Sequence, residues 1–345
     1  MRTELRLSRL LSLSLLSLVA TTARSADLTP QNTLVLSLPT QAPTAKCSPA
    51  GALGPEPEQV TLQRSFFDPF DRLDLSSQRW LPHYDGGYDL AAGRWLGYDW
   101  GAVKRTLKGN AEQQLYVDPG FRGTASQPLG LDPFRVRDGV LSIVAQRTPA
   151  GVRDALYGYE FISGVLTSRA SLVQRYGYFE MRARIPAGKA LWPAFWLLPA
   201  NKHWPPEIDI LEVVGQQGEV MVTTTHSVGP DGKRVAAGCR TTLPGANTGF
   251  HLFGALWTPQ RIVYFFDRVP VAQLATPPGI DQPMYMLLNM AVGGNMVGRA
   301  DDATPLPASF EIDWVAAWAL PGNPPCETRL PAAQVDTCPS PAKTR

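Results

Sequence analysis

The stretch that decides the fold is "WPPEIDILEVVG", Trp204 to Gly215. Ile208, Ile210, Leu211, Val213 and Val214 give it the texture of a buried strand, yet Glu207, Asp209 and Glu212 interrupt it. Buried carboxylates are costly unless they are paired, hydrogen-bonded or protonated. Alternate residues of a strand share a face, so Glu207 and Asp209 point one way and Ile208 and Ile210 the other. Strict alternation would put Glu212 on the face opposite Asp209. A single β-bulge at Ile210–Leu211 resets the phase and returns Glu212 to the side of the other two acids. Three close carboxylates do not all stay ionised, so at least one pKa rises. One ionised and one protonated carboxyl is the pair that glycoside hydrolysis requires: one attacks or stabilises the anomeric carbon, the other protonates the leaving oxygen. A cation site and a solvated strand face are the competing readings. Calcium prefers a flexible Asp/Asn/Gly loop to a stiff apolar strand, and a wet face needs no phase shift.

Upstream, "ALWPAFWLLPANKHW" brings Trp192, Phe195, Trp196 and Trp204 close in sequence. Sugar rings stack their C–H faces on aromatic rings while their hydroxyls seek polar partners. Tryptophans beside carboxylates therefore suit a glycan groove, with core packing as the other role open to each of them.

The same texture recurs along the chain. "GVLSIVAQ" (139–146), "GYFEMRARI" (177–185), "EVMVTTTHSV" (219–228), "MYMLLNMAV" (284–292) and "FEIDWVAAWAL" (310–320) are short apolar or alternating runs between turn residues. With 32 Pro and 30 Gly spread through 345 residues, the pattern predicts an all-β protein, a sandwich of two antiparallel sheets. Hydrophobic residues are 44% and charged residues 18%, enough for a substantial core. A formal charge of +2 and the lack of a Lys/Arg block argue against a nucleic-acid or anionic-membrane partner.

Residues 1–26 read as a signal peptide: a basic start, the apolar "LLSLSLLSLVA" and a small-residue cleavage region near Ser25 or Ala26. The expected product is secreted or periplasmic and free of the membrane after cleavage. Residues 27–60, rich in Pro, Ala and Thr, read as a linker or loosely packed arm, and 321–345 as a Pro-rich tail. Cys47, Cys239, Cys326 and Cys338 suggest disulfides in an oxidising compartment. Four cysteines allow three pairings, and a local Cys326–Cys338 loop in the tail is one element of them.

Between these ends, over roughly residues 66–318, the chain resembles glycoside hydrolase family 16. The resemblance rests on "SFFDPFDRLDLSSQRW", "NAEQQLYVD", "YGYFEMRARIPAGKALWPAFWLLP", "EIDILE", "FHLFGALWTPQRIVYFFD", "LLNMAVGG" and "FEIDWVAAW", in that order. It implies a concanavalin A-like β-jelly roll with a concave cleft, occupying 61–320, and a retaining endo-β-glycanase acting on a β-1,3/1,4-linked glucan or exopolysaccharide. By position, Glu207 would be the nucleophile, Glu212 the acid/base and Asp209 the residue tuning the nucleophile. Asn110, Glu112, Trp192, Trp196, His226 and Asn289 would bind substrate. "GGNMVG" departs from the pattern, with Met296 near the place where many relatives carry a tryptophan. Many relatives also bind a structural calcium, for which Asp313 is the candidate; no other cofactor is implied, and a monomer is expected. A lectin on the same fold is the rival function, although it has no need of an intact "EIDILE" set. A transglycosylase, in which a second sugar replaces water, is the other.

Overall fold

The computed structural model describes residues 29–84, 105–201 and 203–326, together with the short strands Tyr88–Asp89, Arg94–Trp95, Glu327–Arg329 and Gln334–Thr337. The proposed leader lies outside the described residues. From Gln31 onward the described residues form one compact unit, a β-sandwich.

Its smaller sheet has six strands in the spatial order Val165–Thr167, Met284–Val292, Leu191–Pro199, Glu207–Val213, Val220–Val228, Arg234–Thr242. All neighbours in it are antiparallel. The larger sheet has twelve strands and is built around Gly177–Arg184, which pairs with His251–Trp257 on one side and Ala308–Ala319 on the other. The expected alternation of "GYFEMRARI" is present: Phe179, Met181, Ala183 and Ile185 join the main core. Glu180, on the opposite face, is nevertheless fully buried; Arg268 pairs with it at 2.9 Å and the Tyr178 hydroxyl donates to it at 2.6 Å. This is the partnering that a buried charge requires. From the smaller sheet, Phe195, Leu197, Ile208, Ile210, Leu211, Val213, Met286, Leu288 and Met290 face the same core. The all-β jelly-roll sandwich read from the sequence is the fold observed.

The segment read as a loose arm is stitched to the body instead. Thr33–Ser37 pairs along its length with Gln59–Asp68, and Ser48–Pro49 adds to the edge of the larger sheet beside Val269–Ala275. Cys47 is disulfide-bonded to Cys239, which lies in the edge strand of the smaller sheet. The bridge therefore staples the two sheets along one open side. Composition pointed to a linker because Pro, Ala and Thr dominate; the "TLVLS" alternation within it, with Leu34 and Leu36 buried, was the contrary signal. In the tail, the Cys326 backbone amide donates to Val173 at 2.7 Å, and Cys326 is buried and disulfide-bonded. Cys338, the partner considered for it, lies outside the described residues.

Linking residues 192 apart restricts the unfolded chain strongly. A Cys47→Ala/Cys239→Ala variant should keep the native circular dichroism spectrum and lose about 2–4 kcal/mol of stability in guanidinium titration. An unchanged midpoint would show that the staple contributes nothing.

Candidate active site

Strand register locates the expected irregularity. Against Leu191–Pro199, Asp209 faces Trp196 and Leu211 faces Phe195, so Ile210 is the extra residue. Against Val220–Val228, Asp209 faces Thr224 and Glu212 faces Val222, three steps on one strand against two on the other. Ile210 and Leu211 are both fully buried in the core. Glu207, Asp209 and Glu212 consequently emerge together on the outer face, where they line a cavity of about 910 Å³.

Trp192 and Trp196 come from the adjacent strand, and Thr224 and His226 from the strand on the other side. In "VMVTTTHSV" the outward residues Thr224 and His226 alternate with buried Thr223, Thr225 and Ser227. Asn289 reaches the cavity from Met284–Val292. Asn110 and Glu112 arrive on the loop around a short 3-10 turn, Lys108–Asn110. All nine residues named from the sequence thus line one cavity.

Their contacts divide them. The Trp204 indole donates to Glu207 Oε2 at 2.5 Å. His226 Nε2 stands 3.6 Å from Glu207 Oε1 and 3.3 Å from Asp209 Oδ2. The Trp192 indole donates to Glu212 Oε1 at 3.1 Å and the Thr224 hydroxyl to Glu212 Oε2 at 3.4 Å. Asn289 is a bridge beneath the cavity: it accepts from the Trp196 indole at 2.7 Å and donates to the Tyr116 hydroxyl at 2.9 Å. Glu112 is tied down by Gln114 at 2.6 Å, Asn110 at 3.2 Å and the Leu107 amide at 3.4 Å. Thr224 and Tyr116 were not read from the sequence, and Trp204 and Met296 were noted there without a contact to any of the acids. Trp204 stands in the opening stretch, three residues before Glu207, and Thr224 shares the alternation that exposes His226.

Asp313 lies on the larger sheet, where it forms an ion pair with Arg182. Among the described residues, the one group of His, Cys, Asp or Glu spaced for a metal is Glu207, Asp209 and His226.

Burial governs the ionisation of the acids. It pushes Glu212 up to about 7, and the charge of Glu207 adds to the rise. Glu207 is raised well above the usual carboxylate range by burial and then by the charge of Asp209. Asp209 is raised by burial and then by Glu212. Glu207 and Asp209 are in hydrogen-bond contact, which requires a proton on one of them. The set therefore holds fewer than three negative charges at neutral pH.

An antiparallel jelly roll that presents a bulged Glu-x-Asp-x-x-Glu strand in an aromatic cavity has the layout of a glycan-cleaving enzyme. The sequence pattern described as "Glycosyl hydrolases family 16" matches residues 135–316, just over half of the chain, and the protein belongs to that family. It is 39% identical to endo-1,3-1,4-beta-glycanase EglC of Rhizobium meliloti (strain 1021), over 76% of this chain and 53% of that protein. Its identity with endo-1,3-1,4-beta-glycanase ExsH of the same organism is 37%, with the same coverage. The chain thus spans about half the length of these curated relatives. The laminarinase from Rhodothermus marinus superposes with a TM-score of 0.57 at 28% identity, covering 75% of this chain and 98% of that one.

A carboxyl raised to about 7 makes stability depend on pH with a definite sign. The unfolded chain releases the Glu212 proton near ~4.3. Between there and about 7 the folded state binds more protons, so this residue's contribution falls as pH rises through that window and is flat above it. Glu212→Gln removes the penalty. The variant should exceed the wild type by about 1–3 kcal/mol at pH 8, with the advantage gone at pH 4. Urea midpoints at the two pH values measure it; an equal difference at both would contradict the shift.

Proposed function

We propose that the protein is an exported retaining endo-β-glycanase that hydrolyses a β-1,3/1,4-linked glucan or related exopolysaccharide. The observation that carries this reading is the bulge at Ile210, which gathers Glu207, Asp209 and Glu212 on the floor of one aromatic cavity. In the first step a Glu207 oxygen attacks the anomeric carbon while Glu212 donates its proton to the departing glycosidic oxygen. In the second, the Glu212 carboxylate takes a proton from water as that water attacks the same carbon, releasing Glu207 and a β-configured product. Retaining pairs work with carboxyls roughly 5–5.5 Å apart.

The surroundings support this division of labour. A pKa of about 7 lets Glu212 hold its proton in mildly acidic solution and give it up within the cycle. The Trp204 indole donates to Glu207 and His226 stands nearby; both work against the rise that burial and Asp209 impose on it. The hydrogen bond with Asp209 raises Glu207 and lowers Asp209, so Glu207 becomes the nucleophile when that proton passes to Asp209. Trp192 and Trp196 offer ring faces for sugars, and Met296 adds apolar wall. Acid, base and nucleophile all come from one strand, so the reaction calls on no cofactor. The names of the two Rhizobium relatives point to mixed-linkage β-glycans.

Export is part of the same proposal. The Cys47–Cys239 bridge suits an oxidising compartment. No helix among the described residues is long and apolar enough to cross a membrane. We take the working unit to be the monomer.

The test is hydrolysis of laminarin, lichenan and succinoglycan, followed by proton NMR. The β-anomer should appear first; an initial α-anomer would overturn retention. Glu207→Gln should cut kcat by at least ~10³-fold with the fold intact, because the nucleophile has no substitute. Activity of the wild type should fall as pH rises past about 7, where Glu212 loses its proton. A panel without any hydrolysis would favour the lectin reading.

A further inference from the structure

Nothing in the reaction above uses the nitrogen of His226 as a ligand, yet its position is unusual. Nε2 stands between two carboxylates that come from the neighbouring strand, because Glu207 and His226 are direct cross-strand partners. The three groups offer Nε2, Glu207 Oε1 and Asp209 Oδ2, all within 4.8 Å of one another. Glu207 divides its oxygens: Oε2 takes the Trp204 indole, which leaves Oε1 for the other side. Asp209 Oδ2 is buried, and no hydrogen-bond partner meets it. An unsatisfied buried carboxylate oxygen is expensive.

Local charge points the same way. Four carboxyl groups line the cavity, those of Glu112, Glu207, Asp209 and Glu212, and the one Lys or Arg among its lining residues is Lys108. A compact positive ion is the counter-charge this floor lacks. We propose that the cleft binds one divalent transition-metal ion of the zinc type through Glu207, Asp209 and His226, and that this ion excludes the glycan.

The spacing fits the ligand chemistry. Tetrahedral zinc with bonds of about 2.0–2.1 Å separates its ligand atoms by about 3.3–3.5 Å. The two measured nitrogen-to-oxygen gaps are 3.3 and 3.6 Å. An imidazole nitrogen with two carboxylates suits zinc or copper, whereas calcium and magnesium favour an all-oxygen set. Three protein ligands would leave a fourth position for water, as in an open zinc site. His226 Nε2 binds through its lone pair, so its hydrogen resides on Nδ1 in the complex. The ion would sit on the proposed nucleophile, at the place of the reacting sugar. The competition rests on the proposed function, but the binding does not.

Two readouts separate them. Zinc chloride titrated calorimetrically into Glu212→Gln, which lacks the proposed acid/base, should bind one-to-one, reversibly with EDTA. Binding to Asp209→Asn and to His226→Gln should weaken at least tenfold each. Exposed His203→Ala should bind like the parent. In the wild type, zinc should raise the apparent KM for laminarin and leave kcat unchanged, and magnesium and calcium at equal concentration should do neither. No zinc binding, undiminished binding by both cleft variants, or equal inhibition by calcium would overturn the site. Binding without any hydrolysis in the absence of metal would leave the site standing and overturn the glycanase reading. Near-UV circular dichroism of each variant checks that it is folded, and either cleft variant alone suffices if the other is not.

Discussion

Ile210 and Leu211 both turn inward, and the rest of the site follows from that local exception to strand geometry. A regular strand could bury its apolar side chains or present all three acids on one face, but not with this spacing. The extra residue meets both demands at once. Its cost is a disrupted ladder between Asp209 and Glu212, and the fully buried Ile210 and Leu211 side chains offset it, each worth roughly 1.5–3 kcal/mol of burial. Apolar packing on one side thereby sets the electrostatics of the other. The acids are held too close, and too far from water, to ionise independently.

Neighbouring strands complete what the bulge begins. Two of the acids receive donors from different places: Glu207 from the loop before its own strand, Glu212 from the strands on both sides. These donors limit the cost of burial without cancelling it, which leaves Glu212 near neutrality rather than in the usual carboxylate range. Beneath them, Tyr116, Asn289 and Trp196 form a hydrogen-bonded layer that fixes one aromatic wall. Asn289 and Glu112, both expected to contact sugar, are each held by hydrogen bonds to the protein itself.

The parts legible in the sequence were those governed by local periodicity. Alternation gave the strands, and the two-then-three spacing of Glu207, Asp209 and Glu212 gave the bulge. What stayed hidden depended on partners far away in the chain. Arg182 and Asp313 are 131 residues apart, and only the pairing of their strands shows that they neutralise each other. Cys47 and Cys239 belong to different sheets, so no spacing rule connects them. Trp204 is a surface tryptophan in a proline-rich loop, and its donation to Glu207 depends on how that loop folds back. The strand at Thr33–Ser37 was masked by composition, because five alternating residues carry little weight within a Pro/Ala/Thr-rich segment.

The staple between Cys47 and Cys239 also imposes an order of events. Cys47 leaves the ribosome early and waits through 192 further residues for its partner. Cys239 belongs to the outermost strand of the smaller sheet, laid against Val220–Val228 rather than against the interior strands. The bridge has its native geometry only where both sheet edges stand side by side. A thiol captured by another cysteine would trap the chain with one flank unsealed. Two atoms of sulfur thus tie the placement of one sheet edge to that of the other.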